Sequence, residues 1–203
     1  MTQQNSTPSL ILASASPRRR ELLQQAGVPF TVMPSNTDEQ VRPGESPEVY
    51  ALRVAREKAT GVAAHQPGNW VLGADTIVAI DDMILGKPRD AEDGLRMLRL
   101  LSGQPHRVMT AFVLLNPNGD IHATQIVTSH VEFKTLTDTR IQEYLATGEP
   151  FDKAGAYAVQ GLGAALVEKV EGSYTNVVGL PLEEVLAVLR SAGLWHQKDA
   201  ARA

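Results

Sequence analysis

Two long strand-like segments joined by a hairpin signal constrain the fold of this chain more than any other feature. The segments run over 107–115 and 121–133, and Asn116-Pro117-Asn118-Gly119 joins them. A turn of this composition pairs the flanking strands antiparallel. Elsewhere strand and helix signals alternate, which is typical of parallel α/β sheets. The combination argues against a simple doubly wound parallel sheet and predicts an α/β domain with a mixed central sheet and flanking helices.

Helix and strand signals divide the rest of the chain without a linker. Ser46-Pro47-Glu48 is a typical helix start, and Gly103 marks a helix end. The predicted helices cover 17–27, 47–64, 90–103, 137–147 and 180–192, and the further strands cover 10–13, 30–33 and 70–80. Because no repeat and no low-complexity segment separates them, we expect one domain over 1–203. Its ordered core is expected at about 9–192, with frayed tails at 1–8 and 196–203.

Composition excludes several classes of protein. A net charge of −4 provides no global positive field for a nucleic acid, so we expect no nucleic-acid partner. The absence of cysteine excludes disulfides, thiolate metal ligands and a cysteine nucleophile. No apolar run approaches the roughly 18 residues needed to cross a bilayer, and the first residues do not resemble a signal peptide. We therefore expect a cytoplasmic protein without membrane contact.

Asp75 interrupts a strand that is otherwise apolar and rich in β-branched residues. Aspartate is a poor strand former, and an unpaired charge is expensive to bury. One interpretation is a strand-end aspartate that accepts backbone hydrogen bonds, and the other is a functional carboxylate. Asp38-Glu39 supplies two more acids in a polar loop. Loop acids are usually solvated, but one of them, paired with Asp75, can hold a hard divalent cation.

The joint between the first strand and the first helix predicts an anion site. The segment Ser14-Ala15-Ser16-Pro17-Arg18-Arg19-Arg20 brings hydroxyls, free backbone N–H groups and guanidinium groups together. A solvated basic turn is the alternative interpretation. Cations at a helix N-terminus oppose the helix dipole, however, so three arginines there favour an anionic partner.

Two lysines are further candidates for contacts with an anion. Lys58 projects into the apolar face of the helix over 47–64. Such a lysine can extend along its aliphatic stem to solvent, or it can meet a buried carboxylate and a polyphosphate. Lys87 lies in the rigid context Gly86-Lys87-Pro88, where it can point at a ligand. Together with the acids, these lysines provide both signs of charge that phosphoryl chemistry requires.

Other nucleotide and hydrolase motifs are absent from the sequence. The segment 161–166 lacks the third glycine of a dinucleotide-binding fingerprint, and no P-loop lysine motif occurs. The five histidines show no pair spacing for zinc. Ser14 and Ser16 lack the His and Asp partners that a serine hydrolase motif would supply.

Several short blocks resemble those of the Maf proteins. Leu12-Ala13-Ser14-Ala15-Ser16-Pro17-Arg18-Arg19 resembles the N-terminal signature of that family. The further blocks, in family order, are Asp38-Glu39, Arg56-Glu57-Lys58-Ala59, Gly73-Ala74-Asp75-Thr76, Gly86-Lys87-Pro88, Ser102-Gly103-Gln104-Pro105-His106 and Gly179-Leu180-Pro181-Leu182. Ordered blocks over nearly the whole chain are far more specific than any one of them.

The resemblance implies a fold, an activity and roles for residues. The fold would be a mixed α/β structure with two lobes around a deep cleft, similar to the inosine triphosphate pyrophosphatases, and the protein would be a homodimer. The segment 149–161 is similar to the branch that hydrolyses dTTP and UTP to monophosphate and pyrophosphate. By position, Asp75 is implied as the proton acceptor that activates water. Arg18, Thr76 and Gln160 match positions associated with substrate choice.

The chemistry of the side chains agrees with these implied roles. A divalent cation, Mg or Mn, near Glu39 and Asp75 would neutralise phosphate charge. The expected substrate contacts are Ser14, Arg18, Arg19, Lys58, Thr76, Lys87 and Gln160. An amide at Gln160 can donate to a carbonyl and accept from N3–H of uracil or thymine, whereas cytosine presents the opposite pattern. Whether Asp75 acts mainly as base or mainly as metal ligand stays open.

A regulatory role is the alternative to catalysis. Maf proteins have been linked to cell-division arrest, so a nucleotide-binding protein that acts through a protein partner is a second hypothesis. A pure binder has no need for a desolvated carboxylate among cations, and an intact cluster of Arg18, Lys58, Asp75 and Lys87 therefore favours an enzyme.

Overall fold

A mixed sheet with helices on both faces forms the centre of the protein. The computed structural model describes residues 9–196. The strands in this range are β1 Leu10–Leu12, β2 Thr31–Val32, β3 Trp70–Ile80, β4 Met83–Leu85, β5 Pro105–Leu115, β6 Ile121–Phe133 and β7 Val167–Glu171. The α-helices are α1 Pro17–Gln25, α2 Pro47–Ala63, α3 Ala91–Leu101, α4 Asp138–Ala146, α5 Tyr174–Val178 and α6 Leu182–Ser191. Short 3-10 helices cover Glu149–Asp152, Ala154–Ala156 and Gly161–Leu166.

The sheet combines parallel and antiparallel pairs. Its order is β2-β1-β3-β5-β6-β7, and β4 pairs with β3 beyond this path. β1 runs parallel to β2 and β3, whereas the pairs β3–β5, β5–β6 and β6–β7 are antiparallel. The predicted mixed sheet and the β5–β6 hairpin are therefore confirmed.

Close packing of α2 on β3 aligns the two elements that carry the central charges. Side chains of a strand alternate between its faces, so Gly73 and Asp75 lie on the same face of β3. A Cβ added to Gly73 would lie 2.4 Å from the carbonyl oxygen of Ala55, far inside contact distance. The glycine thus lets the backbone of α2 approach β3 directly. This approach places Lys58, one turn beyond Ala55, opposite Asp75.

Three apolar clusters cover the faces of the sheet. One contains α2 residues with the alternate side chains of β3 and β5 that face them. A second joins β1 and β3 to α1 and α6, and a third joins β5 and β6 to α3 and α4. None of the helices within residues 9–196 is both long and apolar enough to span a bilayer.

The sequence did not predict β7, α5 or the 3-10 helices. β7 is a short edge strand with charged residues, so its pattern is weak. α5 has the sequence Tyr-Thr-Asn-Val-Val, whose β-branched residues favour strands. The Gly-rich passage 148–163 contains 3-10 turns instead of an open loop. The frayed tails expected at 1–8 and 196–203 fall, apart from His196, outside the described residues.

Candidate active site

A cleft of about 330 Å3 opens where α1, α2 and β3 meet the passage 152–160. All nine side chains proposed from the sequence line it. Its floor is formed by the middle of β3 and the ends of β1 and α5. Most of the charged side chains come from α1, α2, β3 and the segments around 39 and 87, whereas the passage 152–160 contributes Gln160 together with Asp152 and Lys153.

Lys58 joins two of the carboxylates that line the cleft. Its Nζ lies 2.7 Å from Oδ1 of Asp75 and 2.6 Å from Oε1 of Glu39. Lys58 is 8% exposed and Asp75 is 6% exposed, so neither side chain extends into bulk solvent. Partial burial alone would raise the pKa of Glu39, but the hydrogen bond and charge of Lys58 outweigh it and lower that pKa. The inward orientation of Lys58 is therefore the one observed.

Two residues of α2 hold the loop that carries Glu39. The hydroxyl of Tyr50 donates to the carbonyl oxygen of Glu39 at 2.7 Å. Arg53 donates from Nη2 to the carbonyl oxygen of Gln40 at 2.9 Å and forms an ion pair with Glu45. Sequence reasoning missed both residues, because carbonyl acceptors leave no signature in a sequence. Burial raises the pKa of Tyr50, so its hydroxyl remains a donor at neutral pH.

Arg19 is bound mainly by the protein itself. Its Nε donates to the carbonyl oxygen of Gly179 at 2.8 Å, and Nη1 donates to the carbonyl oxygen of Ala74 at 2.8 Å and to Oγ of Ser14 at 3.1 Å. Nη2 donates to Oγ1 of Thr76 at 2.9 Å. Four of the five N–H groups of this 7% exposed arginine are thus occupied. Arg19 ties α1 to β3 beside Asp75 and keeps one N–H for a ligand.

Arg18 and Lys87 are the more available cations. Nε of Arg18 donates to the carbonyl oxygen of Val178 at 3.2 Å, and Nη1 lies 3.6 Å from Oδ2 of Asp152. The Arg18 side chain is 28% exposed, so its remaining donors can reach the cleft. Lys87 is exposed, and its ammonium group has no hydrogen bond or ion pair with another residue in 9–196. Lys87 is therefore free to meet an anion.

Thr76 and Gln160 occupy different settings. Oγ1 of Thr76 accepts from Arg19, lies 2.9 Å from Oγ1 of Thr110 and donates to the carbonyl oxygen of Gly179 at 3.1 Å. Its hydroxyl is therefore engaged in holding the floor of the cleft. Gln160 is exposed at the rim, directly before the 3-10 helix Gly161–Leu166, and its side chain does not cap that helix. Its amide is available to a ligand.

Comparison with known proteins identifies the family. The model of the Maf-like protein family matches residues 9–192. The chain belongs to the Maf family. A relative named dTTP/UTP pyrophosphatase from Anaeromyxobacter dehalogenans is 54% identical over 189 residues, covering 92% of this chain and 95% of the relative. A Geobacter metallireducens protein of the same name is 50% identical, covering 91% and 96% respectively. The family resemblance noted in the sequence is thereby confirmed.

One solved structure aligns with this Maf chain over most of its length. It is a nucleoside-triphosphatase / dITP/XTP pyrophosphatase from Mycobacterium abscessus, with a TM-score of 0.44 and 16% sequence identity. The alignment covers 92% of this chain and 95% of that chain.

The carboxylates of this Maf cleft fit a metal that is shared with a substrate. Residues 9–196 contain no group of three or more His, Cys, Asp or Glu side chains arranged to hold a metal ion. Asp75 and Glu39 nevertheless converge on one point, where Lys58 Nζ lies within 2.7 Å of both. Mg2+ is commonly bound by one or two carboxylates, with water and substrate phosphates completing its shell. The donor set fits that kind of site and not an all-protein cage.

Proposed function

We propose that this chain hydrolyses dTTP and UTP to the monophosphate and pyrophosphate, by attack of water at the α-phosphate. The observation that carries the proposal is the buried carboxylate of Asp75, held by Lys58 in a cleft whose other charged side chains include Arg18 and Lys87. The relatives named dTTP/UTP pyrophosphatase support the reaction and the substrates.

In this mechanism Asp75 orients the attacking water and accepts its proton. Lys58 has three N–H donors, of which two meet the carboxylates, so the third can donate to a phosphate oxygen. Arg18 and Lys87 bind the triphosphate and offset charge on the leaving pyrophosphate. Glu39 and Asp75 would hold a divalent cation, Mg or Mn, which neutralises phosphate charge when bound.

Arg19, Ser14 and Thr76 contribute to this site mainly through its shape. Their mutual hydrogen bonds fix the end of β1 against β3 beside Asp75. One remaining N–H of Arg19 is available to the triphosphate. Arg19 thus combines the phosphate contact expected from the sequence with a larger structural role.

Base selection is assigned to Gln160. Its amide donates to a carbonyl oxygen and accepts from the neighbouring N–H, which uracil and thymine present and cytosine does not. Gln160 comes from the passage 152–160, whereas Lys58 and Lys87 come from α2 and from the segment after β4, so contacts with the base and with the phosphates are assigned to separate groups.

The test is hydrolysis of dTTP, UTP, CTP and GTP by the purified protein, with and without Mg2+ or Mn2+, followed by product analysis. We expect pyrophosphate and monophosphate from dTTP and UTP, and loss of nearly all turnover in Asp75→Asn, because an amide cannot accept the proton. Recovery of orthophosphate and nucleoside diphosphate would instead place the attack at the terminal phosphate. Full turnover in Asp75→Asn would end the proposed mechanism.

The expected location rests on the composition of the chain, and the expected assembly rests on the Maf resemblance. We propose that the chain acts in the cytoplasm as a homodimer. Exposed apolar side chains such as Leu162 and Tyr174 supply surface for a subunit contact. Sedimentation at micromolar concentration checks the assembly, and a purely monomeric protein would contradict it.

A further inference from the structure

The segment that carries Gln160 is capped by a carboxylate from elsewhere in the chain. The first N–H groups of a helix lack partners within the helix, and the side chain of the preceding residue often accepts from them. Gln160 occupies that preceding position before the helix Gly161–Leu166 but makes no capping hydrogen bond. Glu149 does so instead, since Oε2 accepts from the N–H of Leu162 at 3.0 Å and Oε1 from that of Gly163 at 2.9 Å.

Tyr144 of α4 completes this connection. Its hydroxyl donates to Oε1 of Glu149 at 2.9 Å and accepts from the N–H of Ala158 at 3.3 Å. Tyr144 is 4% exposed, so helix packing fixes its position. The Tyr144–Glu149 pair therefore binds the backbone on both sides of Gln160, at 158 and at 162–163, to the rigid body of the protein.

Two glycines leave the segment little room to shift around this pair. Gly161 has a φ of +68°, and a Cβ added there would lie 2.7 Å from Oε2 of Glu149. A Cβ on Gly163 would lie 2.4 Å from the carbonyl oxygen of Ala158 and 2.6 Å from the hydroxyl of Tyr144. Glycine at both positions therefore lets the backbone pack directly against the side chains of Glu149 and Tyr144.

We propose that Glu149 is a positioning residue for base selection: by capping the helix in place of Gln160, it both fixes the backbone of Gln160 and leaves the Gln160 amide free for the base. An amide can distinguish the edge of thymine from that of cytosine only if its backbone is held, because both edges offer hydrogen bonds to a side chain that can rotate. This inference rests on the proposed function, in which Gln160 contacts the base.

The test compares Glu149→Gln with wild type and with a matched control. A glutamine retains the length of the side chain but replaces one acceptor oxygen by a donor, so at least one of the three N–H or O–H groups loses its acceptor. Glu143→Gln makes the same charge change on an exposed site of α4, where the side chain is 61% exposed and lies 3.5 Å from Arg140. The measurements are kcat and KM for dTTP, UTP and CTP, together with hydrogen exchange of the amides at 162 and 163.

We expect Glu149→Gln to reduce the dTTP-over-CTP ratio of kcat/KM by roughly five- to tenfold, mainly through KM, with kcat for dTTP within about twofold of wild type. Exchange of the two amides should accelerate. In the Gln160→Ala background Glu149→Gln should change the ratio no further, because both substitutions remove the same discrimination. Glu143→Gln should match wild type in every measurement.

The outcomes separate this inference from the function on which it rests. A wild-type protein that treats dTTP, UTP and CTP alike would refute base selection by Gln160 and the role of Glu149 with it. Wild-type selectivity that persists in Glu149→Gln would refute the role of Glu149 alone, as would an effect that adds to Gln160→Ala. If Glu149→Gln does not fold, Tyr144→Phe provides the second test. It removes the donor to Glu149 and the acceptor of the Ala158 N–H but leaves both capping bonds, so a partial loss of selectivity is expected, and an unchanged ratio would count against the inference.

Discussion

The ion group formed by Lys58, Asp75 and Glu39 makes a ranked prediction about stability. Replacing Lys58 with methionine keeps the volume of the side chain and removes its charge. Asp75, whose side chain is 9% exposed, then loses the ammonium that lies 2.7 Å away. Breaking a buried ion pair from one side destabilises by about 3–5 kcal/mol. Since water can enter the cleft and solvate the carboxylate in part, we expect about 3 kcal/mol, at the lower end of that range.

The two carboxylates should contribute less, and in a definite order. In Asp75→Asn the ammonium of Lys58 keeps its contact with Glu39 at 2.6 Å, so only one charge-assisted hydrogen bond is lost, about 1.5–2 kcal/mol. In Glu39→Gln the lost partner is 44% exposed, and an ion pair with so exposed a member contributes about 0–1 kcal/mol. The double variant Lys58→Met/Asp75→Asn should be more stable than Lys58→Met, because it leaves no buried charge unpaired.

Urea unfolding at neutral pH without divalent metal measures these four free energies. Lys58→Met should be the least stable single variant, and the double variant should recover part of the loss. Equal stability of Lys58→Met and Glu39→Gln would show that Asp75 is solvated after all. A double variant less stable than both of its parents would show that packing, and not charge, determines the stability of this group.

Three further predictions concern the base, a buried histidine and the helix–strand contact. Gln160→Ala should reduce the discrimination in kcat/KM between dTTP and CTP by about 1–3 kcal/mol. Lys87→Ala should instead lower kcat/KM for all triphosphates by similar factors. The opposite pattern would assign the base contact to Lys87 and the phosphate contact to Gln160. Burial lowers the pKa of His106 to about 4, so the unfolded chain binds the extra proton first and the free energy of unfolding should fall by up to about 3 kcal/mol as pH falls from about 6.5 to about 4. His106→Gln should lack this part of the urea-measured pH dependence, and an unchanged profile would assign it to other groups. Gly73→Ala should destabilise by at least about 2 kcal/mol in urea, because its Cβ would lie 2.4 Å from a carbonyl oxygen of α2; wild-type stability would contradict that contact.

The central charges could be found from the sequence because each violates a local pattern. Asp75 interrupts a β-branched strand, and Lys58 interrupts the apolar face of a helix. A charged side chain in a buried apolar segment requires a partner of opposite charge, and Lys58 and Asp75 are each other's partner. The order of blocks along the chain then identified the family, since ordered spacing over many residues is far more specific than one violation.

The residues that hold the site could not be found in this way. Arg19 looks like a phosphate ligand in the sequence, yet four of its donors meet acceptors of the protein, two of them the carbonyl oxygens of Ala74 and Gly179. Every residue has a carbonyl, so a sequence does not indicate which one will receive an arginine 55 or 160 positions away. Glu149 was missed for a related reason, because the amides that it caps belong to a passage whose glycines predict a loop.

The charges of the cleft also explain why the proposed metal and the nucleotide should depend on each other. The charged side chains that line the cleft are five cations, Arg18, Arg19, Lys58, Lys87 and Lys153, and three carboxylates, Glu39, Asp75 and Asp152, so their formal charges sum to +2. Lys87 is exposed, and no carboxylate of residues 9–196 contacts it. A triphosphate carries several negative charges, which this small excess of positive charge does not balance. The same carboxylates that repel a bare triphosphate attract a divalent cation, which the phosphates then help to ligate. The divalent cation and the nucleotide therefore each supply charge that the other lacks. Asp75 and Glu39 should favour nucleotide binding only when the cation binds together with the nucleotide.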